Sequence, residues 1–291
     1  MKKVTIKHAK DVETATLFRS RGYEPVECSF GAVSVVGELK MDHHGEYSHL
    51  PGVAIRAHGE LYGIRADDPR FVVTGSPDLD AVAAIAGLAG LLHLDPATAE
   101  LINAVDTDPI GVGSLLEKGE AGLKTLAFNQ AMVGQPSSEE TFEKALELFL
   151  EIFSRPLSSL EKQLISQAEN QRMKLVTSSA LILWEHVEGE PVALAANPAW
   201  GFDVWYNRAP CVVAFVENKK SVTIGCKTLA DAEALFGPGG LKNTYPVLDK
   251  EIAPGFGGRE TVGGSPRGYE LTLEEARRIK NILLSLIKIK R

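Results

Sequence analysis

The run from Arg70 to Leu92 constrains the fold more than any other part of the chain. Arg70–Thr74 reads as a short apolar strand that passes straight into Gly75-Ser76-Pro77-Asp78, and Ala81–Leu92, rich in alanine and leucine, follows as a buried helix. Strand, polar turn and helix is the ligand-site geometry of an open α/β sheet. The same alternation opens the chain. Val4–Ile6 reads as a strand, Asp11–Arg21 as an amphipathic helix and Ala32–Val36 as a strand after Gly31. Val53 to Ile64 alternates in places, with Gly59 at a turn. Pro96 opens a helix to about Ala104 that ends at Val105-Asp106-Thr107-Asp108-Pro109, because Pro109 forbids continuation.

Ser138–Phe153 and Ser158–Met173 are long helical patterns, each begun by a capping sequence. Beyond them the texture turns to strands: Leu181–Trp184, Val192–Ala195, Cys211–Val216 and Val222–Cys226. A helix from Leu229, a glycine-rich loop and a capped helix over Thr272–Ile289, with an apolar stripe through Ile279, Leu283 and Ile287, complete the chain. The expected fold class is therefore α/β: an N-terminal sheet domain with flanking helices over 1–155, a connecting helix over 156–174 and a smaller C-terminal mixed α/β domain over 175–291. A length of 291 residues suits two domains.

Lysine and arginine total 31 against 38 acidic residues, so a net charge of −7 argues against a large nucleic-acid surface or a membrane surface. The longest apolar stretch, Ala81 to Leu94, is broken by His93 and too short to span a bilayer, and the N-terminus lacks a signal-peptide core. Cys28, Cys211 and Cys226 show no paired spacing, which fits a reducing cytoplasm.

Six of the seven histidines lie in the first third of the chain, leaving only His186 beyond. The densest group is Asp42-His43-His44-Gly45-Glu46-Tyr47-Ser48-His49. Imidazole beside carboxylate suits manganese, iron, cobalt or zinc over calcium. Asp78 and Asp80 leave the turn before the buried helix, and Asp106 and Asp108 flank Thr107. Singly, each pair has a plain reading: Asp78 as a helix cap, Asp106 or Asp108 as turn residues. Jointly, the three clusters supply the oxygen and nitrogen donors of a two-metal site, in which ions roughly 3.5–4 Å apart clamp a phosphoryl group.

These motifs resemble the DHH superfamily of phosphoesterases, which includes RecJ-like exonucleases, nanoRNase/pAp phosphatases, exopolyphosphatases and family II inorganic pyrophosphatases. The resemblance rests on Asp42-His43-His44, Ser76-Pro77-Asp78-Leu79-Asp80-Ala81 and Ala104-Val105-Asp106-Thr107-Asp108. The run Gly257-Gly258-Arg259-Glu260-Thr261-Val262-Gly263-Gly264-Ser265 looks like the substrate loop of the associated DHHA1 domain. The resemblance implies His43, Asp78, Asp80, Asp106 and Asp108 as metal ligands, His44 on the substrate phosphate, and Asp42 as a ligand or as the group orienting a histidine. It implies Gly257, Gly258, Arg259, Gly263, Gly264, Ser265 and Arg267 as substrate-binding residues.

This chain departs from the family pattern in four places. Thr74 stands where relatives carry a histidine ligand, the Asp-His-His signature precedes the Asp-x-Asp motif, an intermediate aspartate has no match, and Arg259 replaces the loop histidine. His49, His58 or Asp108 is the expected substitute for the missing imidazole; the plain reading of His49 and His58 is a surface or strand histidine.

Between Gly255 and Gly268 the chain places six of its 27 glycines, which allows close backbone approach to an anion or simply tight turns. The run matches neither the Rossmann nor the P-loop pattern. The aromatic stretch from Asn197 to Tyr206 reads as core packing, with base stacking the alternative.

Together the resemblance implies a phosphoesterase acting through metal-activated hydroxide, with its site between two domains. The cofactor is Mn2+, one or two ions, with Mg2+ or Co2+ as substitutes. The partner is a small phosphorylated substrate or short oligonucleotide, with no membrane, and a homodimer is left open. The alternative is a sensor that binds a nucleotide or phosphate on the same scaffold with weakened catalysis.

Overall fold

The computed structural model describes residues 3–30, 33–47, 49–108, 111–177, 183–196, 201–217, 219–266 and 268–289. The chain is a mixed α/β protein with several sheets. It divides into two compact units, Met1–Ser29 with Val33–Glu169 and Phe30–Ala32 with Asn170–Arg291. Among the described residues, no helix is long and apolar enough to cross a membrane.

In the first unit β1 (Thr5–His8) leads to α1 (Val12–Ser20), capped by Asp11, whose carboxylate accepts the Thr14 N–H at 2.7 Å. Next come β2 (Glu24–Pro25) and the paired β3 (Ser29–Phe30) and β4 (Val33–Ser34). After these, α2 (Val53–His58), β5 (Arg70–Val73), α3 (Leu79–Leu88), α4 (Pro96–Thr107), α5 (Gly119–Met132), α6 (Glu139–Phe153) and α7 (Ser159–Thr177) follow. The sheet order is β1-β5-β2, all parallel.

Every residue of α3 is buried, as its alanine- and leucine-rich sequence requires, and it packs against α2, α4, α5 and α6. Leu79, Val82, Ile85 and Leu88 join Phe71, Phe128, Phe142 and Phe149 in one core. Burying each of these larger side chains contributes about 1.5–3 kcal/mol. On α6, Ser138 accepts the Thr141 N–H at 3.1 Å. Ser138→Ala is expected to lower stability by about 1 kcal/mol in a denaturant titration; an unchanged midpoint would mean that the cap carries no weight.

Three expected elements differ. The strand at Ala32–Val36 is only Val33–Ser34 among the described residues. The partly alternating run from Val53 begins as α2, because side chains from α3 and α4 hold its first N–H groups. The helix from Pro96 continues to Thr107, so Asp106 sits in its last turn rather than on a loop.

The second unit holds β6 (Leu183–Glu185), β7 (Val192–Ala196), α8 (Phe202–Trp205), β8 (Cys211–Val216), β9 (Ser221–Cys226), α9 (Leu229–Phe236), α10 (Tyr245–Glu251), β10 (Gly257–Gly258), β11 (Val262–Gly264) and α11 (Leu273–Ile289). Its sheet order is β10-β11-β9-β8-β7-β6, with β7 and β8 parallel and the other neighbours antiparallel. Ile279, Leu283 and Ile287 of α11 pack on this sheet. Phe202, Trp205 and Tyr206 are buried with ring centroids 5.4–5.6 Å from Phe202, so this part of the aromatic stretch is core. Residues 197–200 and 181–182 of the expected elements lie outside the described residues. Cys28, Cys211 and Cys226 are buried free thiols.

Candidate metal centre

The parallel sheet of the first unit gathers strand ends. Val26 extends β2 by donating its N–H to Val72 O at 2.9 Å, and Glu27 donates its N–H to Met41 O at 2.8 Å on the other side. Val26 and Met41 form a parallel bridge. Met41 thus adds a further slot beside β2. The carboxyl ends of all these segments open on one edge, where ligands of such sheets collect. That edge carries Thr74 to Asp80 after β5, Glu27 after β2 and Asp42-His43-His44 after Met41.

Asp42 is fully buried. Its Oδ1 accepts the His44 main-chain N–H at 2.8 Å and His44 Nδ1–H at 2.9 Å, which fixes the ring orientation and leaves Nε2 as the outward nitrogen. His43 is also buried, with Nε2 2.7 Å from Glu27 Oε1 and 3.2 Å from Asp106 Oδ2, and Nδ1 3.9 Å from Asp80 Oδ2. Glu27 takes a left-handed backbone conformation, φ +51°, rare for a side chain of its size.

Asp80 binds a helix rather than a loop. Its two oxygens accept the Val53 and Ala54 N–H groups at 3.0 Å each, and Asn103 Oδ1 takes the Gly52 N–H at 2.9 Å. The first N–H groups of α2 are thereby satisfied by the buried Asp80 and the half-buried Asn103. Gly52 has no room for a side chain, since a Cβ there would collide with Asn103. Asp106 lies one turn beyond Asn103 on α4 and so shares its face. Arg56 of α2 donates to Leu39 O at 2.6 Å and Lys40 O at 2.8 Å, tying this helix to the segment that enters Met41-Asp42. Asp78 caps α3, accepting the Ala81 N–H at 2.8 Å, and shares a hydrogen bond with Glu27.

The electrostatics are unusual. Burial first, then the charges of Asp78, Asp80, Asp106 and Asp42, pushes the Glu27 carboxyl well above its ordinary value. Asp80 is pushed up to about 8 by burial, Asp106 and Asp78, against the pull of its two main-chain N–H bonds. Asp78 is raised by desolvation and by Asp106. By accessible surface Asp78 is nevertheless an exposed residue. Among the described residues no lysine or arginine ion pair reaches Glu27, Asp42, Asp78 or Asp80. Such a crowd of carboxyl groups needs protons or a cation to offset its charge.

The donor set fits a transition-metal cation. Glu27, His43 and His44 form one group, and His43, Asp80 and Asp106 another, with the donor atoms of each within 4.8 Å of one another. Mixed imidazole and carboxylate favours manganese, iron, cobalt or zinc. Two buried oxygens, Asp42 Oδ2 and Glu27 Oε1, accept no hydrogen bond among the described residues. Glu27 Oε1 faces His43 Nε2 at 2.7 Å, while Asp42 Oδ2 is a buried oxygen that a cation could satisfy.

Other expected residues lie elsewhere. Asp108 caps the end of α4 and accepts the Gly111 N–H at 2.9 Å on the surface, outside both groups. His58 is buried with Nδ1 accepting the Leu94 N–H at 3.1 Å and Nε2 donating to Ala83 O at 2.8 Å; both nitrogens are committed, and burial lowers its pKa to about 4. His49 is exposed, with Nδ1 3.0 Å from Glu46 O. None of the three takes the place of an imidazole beside Thr74, whose buried hydroxyl has no partner among the described residues. Glu27 is the group that sequence reasoning missed. Its only sequence signal is an acid following the short apolar Pro25-Val26.

In the second unit Gly257, Gly258, Gly263 and Gly264 form the hairpin of β10 and β11, closed by Arg259 N–H to Val262 O at 2.7 Å. Tyr245 Oη donates to Arg259 O at 2.8 Å and lies where a Cβ on Gly263 would be. Gly258 has φ +150° and faces Val262 O and Gly263. Ser265 Oγ accepts the Val222 N–H at 3.1 Å. Packing therefore accounts for Gly258, Gly263 and Ser265 without an anion. Arg267 lies outside the described residues.

A scan against protein-family models matched none, and a search of curated proteins returned no match.

Proposed function

We propose that the protein is a metal-dependent phosphoesterase of the DHH/DHHA1 type that hydrolyses a small phosphate ester, a nucleotide or a short oligonucleotide, with Mn2+ as its cation. The observation that supports this reading most is the convergence of Glu27, Asp42, His43, His44, Asp78, Asp80 and Asp106 at one sheet edge. Bound there, a divalent cation supplies Lewis-acid stabilisation of phosphoryl oxygens and lowers the pKa of water.

The chain's own residues provide the rest. His43 with Asp80 and Asp106 would hold the cation, and Glu27 stands in the other donor group of the same imidazole. His44, its ring fixed by Asp42 and about a third exposed, presents Nε2 to a substrate oxygen and, when protonated, donates to it without leaving Asp42. Asp78, an exposed residue hydrogen-bonded to Glu27, accepts a proton from an incoming water. Because the glycine hairpin has its own packing, this reading draws on the first unit alone.

The test is phosphate release in Mn2+ from pAp, short oligonucleotides, cyclic dinucleotides, pyrophosphate and polyphosphate. Turnover of at least one is expected, falling by about 10³-fold or more in Asp78→Asn, which can still cap α3. Tight binding of one of these compounds without turnover favours the sensor alternative. Neither binding nor turnover overturns both.

A further inference from the structure

We propose that Arg56 is a positioning residue for the metal centre: by holding a strained turn over 37–40, it sets the place of Asp42, His43 and His44. This rests on the metal-dependent reading above and names what aligns its histidines. Among the described residues, Glu27 at φ +51°, Lys40 at +49° and Lys220 at +46° carry side chains in a left-handed backbone conformation. Lys220 lies in the turn between β8 and β9. The other two flank the Val26–Met41 bridge, since Glu27 follows Val26 and Lys40 precedes Met41. Such conformations are uncommon and persist where surrounding contacts over-determine them.

The turn at Lys40 is held in several ways. Lys40 donates its N–H to Gly37 O at 3.3 Å, and the buried Glu24 of β2 accepts the Leu39 N–H at 3.3 Å. A Cβ on Gly37 would meet the Glu24 carboxyl, so the turn is seated against that side chain. Arg56 Nη2 donates to Leu39 O at 2.6 Å and Nη1 to Lys40 O at 2.8 Å. One rigid guanidinium fork thus spans two successive carbonyls, which the single ammonium of a lysine does not reproduce. Lys40 O also accepts the Asp42 N–H at 2.7 Å, so the carbonyl that Arg56 holds leads directly into the site. There Asp42 fixes His44, and His43 belongs to both donor groups. Asp80 of α3 holds the start of the same helix. Helix α2 therefore links an acid of one motif to the backbone that carries the imidazoles of another.

The experiment compares the full chain with Arg56→Ala and with Arg56→Ala combined with Lys40→Gly. Glycine adopts a positive φ without a Cβ penalty, and Lys40 is exposed, so Lys40→Gly should supply the conformation that Arg56 otherwise enforces. Two readouts apply: Mn2+ affinity by equilibrium dialysis, and the ring-nitrogen NMR shifts of His44 in the metal-free chain. Arg56→Ala should weaken Mn2+ binding by about 10-fold or more and move the His44 shifts toward those of a free imidazole. The double variant should recover most of both. Circular dichroism checks folding, and Arg56→Lys takes the place of Arg56→Ala if the latter does not fold. A folded Arg56 variant that keeps the wild-type His44 shifts overturns the inference, as does a loss that Lys40→Gly leaves unrepaired. Absence of Mn2+ binding by the wild-type chain overturns the metal-dependent reading instead, and the His44 shifts then decide the role of Arg56.

Discussion

His43→Ala is expected to abolish Mn2+-dependent hydrolysis, with a loss of about 10³-fold or more. The imidazole stands between Glu27 and Asp106, 2.7 and 3.2 Å from their oxygens, and removing it takes the donor that both candidate groups share. What remains is Glu27 with His44, or Asp80 with Asp106, one donor short of either group. Several kcal/mol of transition-state stabilisation go with the ion, and each 1.36 kcal/mol is about tenfold in rate. The measurement is phosphate release across a Mn2+ titration, beside a thermal melt in chelator. A folded variant retaining more than about a tenth of wild-type turnover would remove His43 from the chemistry.

The metal-free protein is expected to lose stability as pH rises from 5 to 8, and Mn2+ to oppose that trend. Asp80 ionises near 3.8 when unfolded and near 8 when folded, so its proton favours the fold. That contribution is fully present below about pH 4 and is lost progressively as pH climbs through 8. Each pH unit inside the window costs about 1.4 kcal/mol for such a group, roughly 4 kcal/mol between pH 5 and 8. Glu27 and Asp78 are shifted in the same direction. A fall in Tm on the order of 10 °C follows. A cation competes with those protons and binds more tightly as they leave, so the Mn2+-induced rise in Tm should grow with pH. Melts in chelator and in Mn2+ across this range test the sign. A chelated protein whose Tm is flat or rises from pH 5 to 8 is incompatible with these buried acids.

The strongly patterned elements were legible in the sequence because local chemistry decides them. The apolar run after Pro77 had to be buried, and Ser138 and Asp11 sit at true caps. Helix α2 was not legible, because its first N–H groups are answered by Asp80 and Asn103, which lie far along the chain. Asp42, His43, Asp78, Asp80 and Asp106 were recognisable as residues that could share a site, while their partner Glu27 was not. Nothing local marks it, since its place follows from the pairing of Val26 with Val72 and of Glu27 with Met41. The reverse error has the same origin. Asp108 looked like Asp106 in sequence, yet the end of α4 falls between them and turns Asp108 to the surface.

The slot that Met41 occupies beside Val26 has a consequence for how such a site can be inherited. A parallel sheet presents its donors by position across the edge, and the connections between strands run elsewhere. Joining the same segments in another order would leave Glu27, His43 and the two aspartates after β5 facing one another as they do now. The order of motifs along the chain is then free to drift while the edge stays fixed. A comparison that reads from one end of a sequence to the other looks for the quantity that this architecture constrains least.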